Sequence, residues 1–163
     1  MVPDSVDRVR QFLQHSRIDA LVKVLPSEST KTSALAAQTL GCTIAEIAKT
    51  IGFIDQWNGQ LNPVLIILSG ARRVNTDKLG THLGIDQIRL HKMSAEEVKT
   101  LTGYSIGGVP PFPHYPNIHV FVDKSLFGFS DVWAAAGSNN TVMKIKPEIL
   151  SRNLKLPVVE VSE

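Results

Sequence analysis

Two features of this sequence could do chemistry: a lysine set among apolar residues, and a glycine-rich loop stiffened by prolines. Lys49 follows Ile47 and Ala48 and precedes Thr50, Ile51 and Phe53. Its ammonium could stand at the mouth of a groove, or it could snorkel from the surface as most lysines do. The loop Gly103-Tyr-Ser-Ile-Gly-Gly-Val-Pro-Pro-Phe-Pro113 is more informative. Gly107 and Gly108 permit positive φ and close approach of backbone to a ligand, and beyond Val109 the pair Pro110 and Pro111 holds the chain stiff. Free N–H groups in such a loop can grip an anion or stabilise the oxygen charge that develops when a carbonyl is attacked. A tight surface turn is the competing reading.

Other candidates are weaker. Arg72 and Arg73 follow an apolar strand and could meet a phosphate or carboxylate, although a solvated strand exit explains them equally well. Asp131-Val132-Trp133 with Gly137 and Ser138 could line the same cavity, but a tryptophan is more often core. Cys42, the single cysteine, has no basic neighbour to activate it and reads as packing; one cysteine allows no internal disulfide and no four-cysteine zinc site. His15, His82, His91, His114 and His119 form no H-E-x-x-H pattern, so no metal site is expected. The dinucleotide fingerprint, the P-loop and the G-x-S-x-G nucleophile elbow are also missing.

These residues sit in 163 residues with a net charge of +2, enough chain for one core and too little charge to argue for wrapping a duplex. The longest apolar run, Pro63 to Leu68, is far below a membrane span, and the N-terminal residues lack a secretory apolar stretch, which together with the cysteine count favours the cytoplasm. Hydrophobic residues make up 43%, which excludes disorder.

The elements that must position the candidates alternate between helix and strand. Asp4 or Ser5 caps a helix with Val6, Val9, Phe12 and Leu13 on one face, and Ala20 to Leu25 reads as a strand. A second helix carries Leu35, Ala36 and Leu40 and stops at Gly41; Thr43-x-x-Glu46 is a capping box that predicts a third, short helix ending near Lys49. Ile51 to Leu68 predicts a hairpin turning at Asn58-Gly59. Asn75 caps a helix through Leu79 and Leu83, and Ser94-x-x-Glu97 opens one that ends at Gly103. Strands are expected at Ile118 to Val122, Val132 to Ala135, Val142 to Ile145 and Val158 to Val161, with Pro147 in the first turn of a helix before the last. The pattern predicts a single α/β domain over 1–163, α+β-like, with a mixed, partly antiparallel and curved sheet flanked by short helices. It is not a doubly wound nucleotide fold.

In order along the chain, five segments resemble the YbaK/EbsC family, relatives of the editing domain inserted in bacterial prolyl-tRNA synthetases: Thr32 to Gly41, Ile47 to Ile51, Leu68 to Val74, Thr102 to Phe112 and Val132 to Ser138. The resemblance implies an aminoacyl-tRNA deacylase that hydrolyses the ester between a mischarged amino acid and the terminal adenosine of tRNA, with no cofactor. By that likeness Lys49 contacts the substrate around the adenosine, and Gly107 to Pro111 matches the G-x-x-x-P loop that contacts the ester. Lys31, Thr32, Gly137 and Ser138 join the candidate substrate-binding residues, with Arg72 and Arg73 candidates for the acceptor-end phosphates. Where the cysteine-specific branch carries an aspartate, this sequence has Val142, so a small amino acid such as alanine, serine or threonine is the expectation. An aminoacyl ester is already activated, so orienting it, stabilising the oxyanion and admitting a water or a substrate hydroxyl would suffice; no general base is evident. The partners implied are the acceptor end of aminoacyl-tRNA and a synthetase, with no membrane and no duplex DNA. The competing reading is a non-catalytic module that binds tRNA ends or a small ligand.

Overall fold

The computed structural model describes residues 4–163. Helix α1 (Ser5–His15) starts where Asp4 accepts a hydrogen bond from the Asp7 amide at 2.8 Å, and it buries Val9 and Leu13. After strand β1 (Leu21–Val24), helix α2 (Ser33–Leu40) is capped by Thr32 and ended by Gly41 in a left-handed conformation. Strands β2 (Ile47–Trp57) and β3 (Gln60–Ser69) form the expected hairpin, and both turn residues, Asn58 and Gly59, have positive φ as a primed turn requires. Helix α3 (Thr76–Leu83), strand β4 (Leu90–Lys92) and helix α4 (Ala95–Thr102) follow, then strands β5 (His119–Asp123), β6 (Val132–Ser138), β7 (Thr141–Ile145) and β8 (Val158–Val159).

The expected third helix is not formed. The Thr43–Glu46 capping box closes, but around only a single 3-10 turn at Ile44–Glu46, and from Ile47 the chain is strand. The apolar, β-branched run from Ile47 to Ile54 pairs with β3 from Ala48–Ser69 to Trp57–Gln60, and this pairing outweighs the local helix signal. Lys49 therefore lies inside β2 and not at a helix-to-strand junction. β4 is an additional strand, and β8 is shorter than the sequence pattern predicts.

The strands make one mixed sheet in the order β1-β7-β6-β2-β3-β5-β8, with β4 also on β2. Alternation along the strands gives the sheet two apolar faces. On one, Ala48, Ile54, Ile67, Ala134 and Ala136 pack under α1, α4 and the loop bearing Val109 and Phe112; on the other, Phe53, Ile66 and Leu68 pack under Leu79 of α3.

One irregularity positions the site. β2 pairs in parallel with β6 only at Ile47–Trp133 and Ala48–Ala134, and β4 takes the same edge of β2 only from Phe53. Between them, at Lys49 to Gly52, that edge pairs with no strand. Parallel strands that diverge beyond their carboxyl-side pairing leave a crevice in the sheet, the usual ligand site of open α/β sheets.

Candidate active site

The crevice holds a cavity of about 290 Å³. Its floor is Ile47, Lys49 and Ile51 of β2 with Trp133 and Ala135 of β6; Lys31, Thr32 and Ala36 border it from α2 and the turn before it; Ile106, Gly107 and Val109 close it from the loop. Among the described residues that line it, the only ionisable side chains are Lys31 and Lys49.

The loop is packed into the molecule: Gly108 to Phe112 are buried. Gly107 has φ +85°, a conformation costly for any side chain. Gly108 lies flat on β6: the Gly137 amide donates to its carbonyl at 3.1 Å, and a Cβ at Gly108 would come within 2.9 Å of the Ser138 backbone. Gly137, at φ +104°, lets the start of α1 approach the same bulge, since a Cβ there would strike the Ser5 carbonyl. The far side is held by His114, whose Nε2 donates to the Pro110 carbonyl at 2.7 Å, and by the Tyr104 hydroxyl, which donates to the Pro113 carbonyl at 3.0 Å. The Arg8 guanidinium lies 4.4 Å over the Tyr104 ring.

The turn after β6 is equally tied. Ser138 Oγ lies 2.7 Å from Thr141 Oγ1, and the Asn140 side chain donates to the Leu25 carbonyl at 3.1 Å. Lys49 is half-buried without an ion-pair partner among the described residues, and burial, helped by the charge of Lys92, pulls its pKa down. Thr50, the next residue of β2, has its Oγ1 buried with no hydrogen-bond partner.

Of the residues singled out in the sequence, Lys31, Thr32, Lys49, Gly107, Val109 and Ser138 line the cavity, while Gly108, Pro110, Pro111 and Gly137 form the packing behind it. Arg72 and Arg73 lie elsewhere. Arg72 donates to Ser162 Oγ at 3.1 Å beside a separate cavity, and Arg73 pairs with Glu163 at 3.0 Å, so both strap residues 162 and 163 to the exit of β3. Trp133 is core, 7% exposed, and also part of the cavity floor. Cys42 is half-buried, and burial, with Glu46 adding to it, pushes its thiol pKa up, which fits packing. No cluster of three metal-binding side chains exists among the described residues. Sequence reasoning missed Thr50 and Ile106 as lining residues. Thr50 carried a usable signal, a hydroxyl next to a candidate lysine; the exposed Ile106 carried none.

A family model, described as the aminoacyl-tRNA editing domain, matches residues 27–152 and so contains the whole cavity lining. The chain belongs to this family. Within it, the chain is 32% identical to the uncharacterized protein YwhH of Bacillus subtilis, over 76% of this chain and 74% of that protein. It is 28% identical to the multifunctional Ser/Thr-tRNA deacylase ProXp-y of Escherichia coli, over 78% and 75%. A solved structure of a proposed trans-editing enzyme for prolyl tRNA synthetase superposes with a TM-score of 0.85 at 29% identity, covering 100% of this chain and 99% of that one. The mixed sheet with short helices is thus the fold of this editing family. No helix among the described residues is long and apolar enough to cross a membrane.

Proposed function

We propose that this chain, acting as one domain over 1–163, is a trans-acting aminoacyl-tRNA deacylase that hydrolyses the ester of a small mischarged amino acid on tRNA. The observation that carries the reading is the juxtaposition of Lys49 and the Gly107 loop across one crevice, in a chain of the editing family. In this reading Lys49 holds the substrate around its terminal adenosine, its half-buried ammonium being strongest where water is thin. The backbone of Gly107 to Val109 meets the aminoacyl ester; the Gly108 amide is spent on the Ser105 carbonyl at 2.9 Å, so the donors left for the carbonyl oxygen are the Gly107 and Val109 amides, in a loop fixed beforehand by Gly137 and His114.

No carboxylate or imidazole lines the cavity among the described residues. In this reading the nucleophile is a water, or a hydroxyl of the substrate, that the site orients against the ester. The aminoacyl side chain rests against Ile47, Trp133, Ala135 and Val142. Val142 offers no charge to read a thiol, and the walls discriminate mainly by volume, which favours alanine, serine or threonine. The name of the Escherichia coli relative, a Ser/Thr-tRNA deacylase, supports that size class. A prolyl-tRNA synthetase is the partner that best fits the structural relative, and the cytoplasm is the compartment of such work.

The bare cavity also favours a second reading, a module that binds charged tRNA ends without turnover. Ester loss from a panel of aminoacyl-tRNAs separates the two: faster hydrolysis of a small-residue ester supports the enzyme, and saturable binding without it supports the module.

A further inference from the structure

The face of the sheet that forms the cavity floor continues past it, across β7 to the edge strand β1. The register sets two rows on this face. Leu21 of β1, Lys144 of β7, Trp133 of β6 and Ile47 of β2 lie side by side in one, and Lys23, Val142 and Ala135 in the next. The inner members, Ile47, Trp133, Val142 and Ala135, line the cavity; the outer polar members are Lys23 and Lys144. Diagonal neighbours on adjacent antiparallel strands stand about 7–8 Å apart.

Both ammonium groups gather over one ring: Lys23 Nζ lies 5.4 Å and Lys144 Nζ 6.0 Å from the centroid of Trp133. Neither makes an ion pair among the described residues. The carboxylate whose field meets Lys144 is Glu46, and it is already engaged by the Thr43 amide at 3.0 Å and the Thr43 hydroxyl at 2.9 Å. Trp133, only 7% exposed, is a rest for the two lysines and not a surface on which a base could stack. Two exposed cations resting on one ring, neither ion-paired with the single carboxylate whose field reaches them, present net positive charge to a polyanion whose charges recur along a flexible strand.

We propose that Lys23 and Lys144 form a phosphate clamp that holds the unpaired acceptor end of tRNA on the sheet face leading into the cavity. The inference rests on the tRNA reading of the cavity and adds the path of the strand: from the mouth of the cavity, outside the residues that hold the aminoacyl side chain, to the β1 edge where Lys23 and Lys144 stand. Lys31 on the rim and Lys92 near Lys49 add charge around the cavity without converging on one point.

The test is the salt dependence of uncharged tRNA binding to the wild type, to Lys23→Gln, to Lys144→Gln and to the double variant, which reads the clamp without needing catalysis. For every single-strand phosphate that is no longer neutralised, the slope of log K against log salt should flatten by about 0.7, so the double variant should be shallower by about 1.4 and bind several-fold more weakly at low salt. A parallel measurement compares seryl-tRNA with seryl-adenosine as esters. The clamp predicts that the double variant raises KM for the tRNA several-fold more than for the adenosine ester, with kcat on the tRNA little affected. An unaltered salt slope overturns the clamp, as does an equal loss on the two esters. Wild-type protein that binds tRNA with a lysine-dependent slope yet hydrolyses none of the alanyl, seryl and threonyl esters keeps the clamp and overturns the deacylase.

Discussion

The Gly137 amide donates to the Gly108 carbonyl across 3.1 Å, and this one bond joins the loop that closes the cavity to the strand that floors it. Gly137 does so in a left-handed conformation with the start of α1 pressed on its α-carbon; a Cβ would lie 2.9 Å from Val6 Cα and closer still to the Ser5 carbonyl. Gly137→Ala should therefore cost about 2 kcal/mol or more, from backbone strain and displacement of α1 together. Denaturant unfolding checks this; a variant as stable as the wild type would mean that α1 yields freely.

Gly107 gives a different expectation, because a Cβ there would meet only Asn139 Cβ at 3.7 Å while φ is +85°. Gly107→Ala should lose about 1–2 kcal/mol through φ alone and keep its fold. If this backbone approaches the ester, the deacylation rate falls well beyond what that stability change explains. An unchanged rate in the folded variant would return the loop to an ordinary turn.

His114 makes the loop's anchoring pH-dependent. Its Nε2 donates to the Pro110 carbonyl, so Nδ1 carries the lone pair, and that atom is buried without a partner. Burial, opposed by the bond to Pro110 and reinforced by Arg8, pushes the pKa down from 6.5 to about 4. A lowered histidine pKa means that the unfolded chain takes up the proton first. The contribution is complete above pH 6.5 and is lost as pH falls toward 4, up to about 3 kcal/mol. His114→Phe should flatten the stability profile between these limits; a profile as steep as that of the wild type would assign the acid sensitivity to other groups.

Thr50 follows Lys49 in β2 and lines the cavity, and its buried, unpartnered Oγ1 is expected to serve a polar atom of the substrate once the side chain turns toward it. Thr50→Val keeps the shape and removes an unsatisfied hydroxyl, so stability should hold or rise by up to about 1 kcal/mol while deacylation slows roughly tenfold, the worth of one hydrogen bond. Equal rates would show that the hydroxyl is not used.

Much of this structure is legible in the chain. Asn58-Gly59 marks the hairpin, and Asp4, Asn75, Ser94 and the glycines that stop the helices mark their ends, because caps and turns are local chemistry. Lys49 and Gly107 are visible as residue types in unusual settings. The turn that ends at Glu46 reads as a helix because its capping box is real, and only pairing with β3, a non-local event, makes Ile47 onward a strand. The arginines mislead for the same reason: Ser162 and Glu163, their partners, are far away in sequence. The convergence of Lys23, Lys144 and Trp133 depends on the register of three strands and cannot be read from spacing.

The most direct test of the deacylase is the hydrolysis of alanyl-, seryl-, threonyl- and cysteinyl-tRNA, including tRNA(Pro) carrying each, by the wild type and by Lys49→Ala. The lysine is half-buried, has no ion-pair partner among the described residues and has a lowered pKa, so its loss should leave stability within about 0.5 kcal/mol. The expected result is hydrolysis of one or more of the small-residue esters by the wild type, and a fall of roughly a hundredfold or more in the folded variant, the scale of removing one preorganised electrostatic donor. Full activity of folded Lys49→Ala, or no hydrolysis of any ester by the wild type, would contradict it.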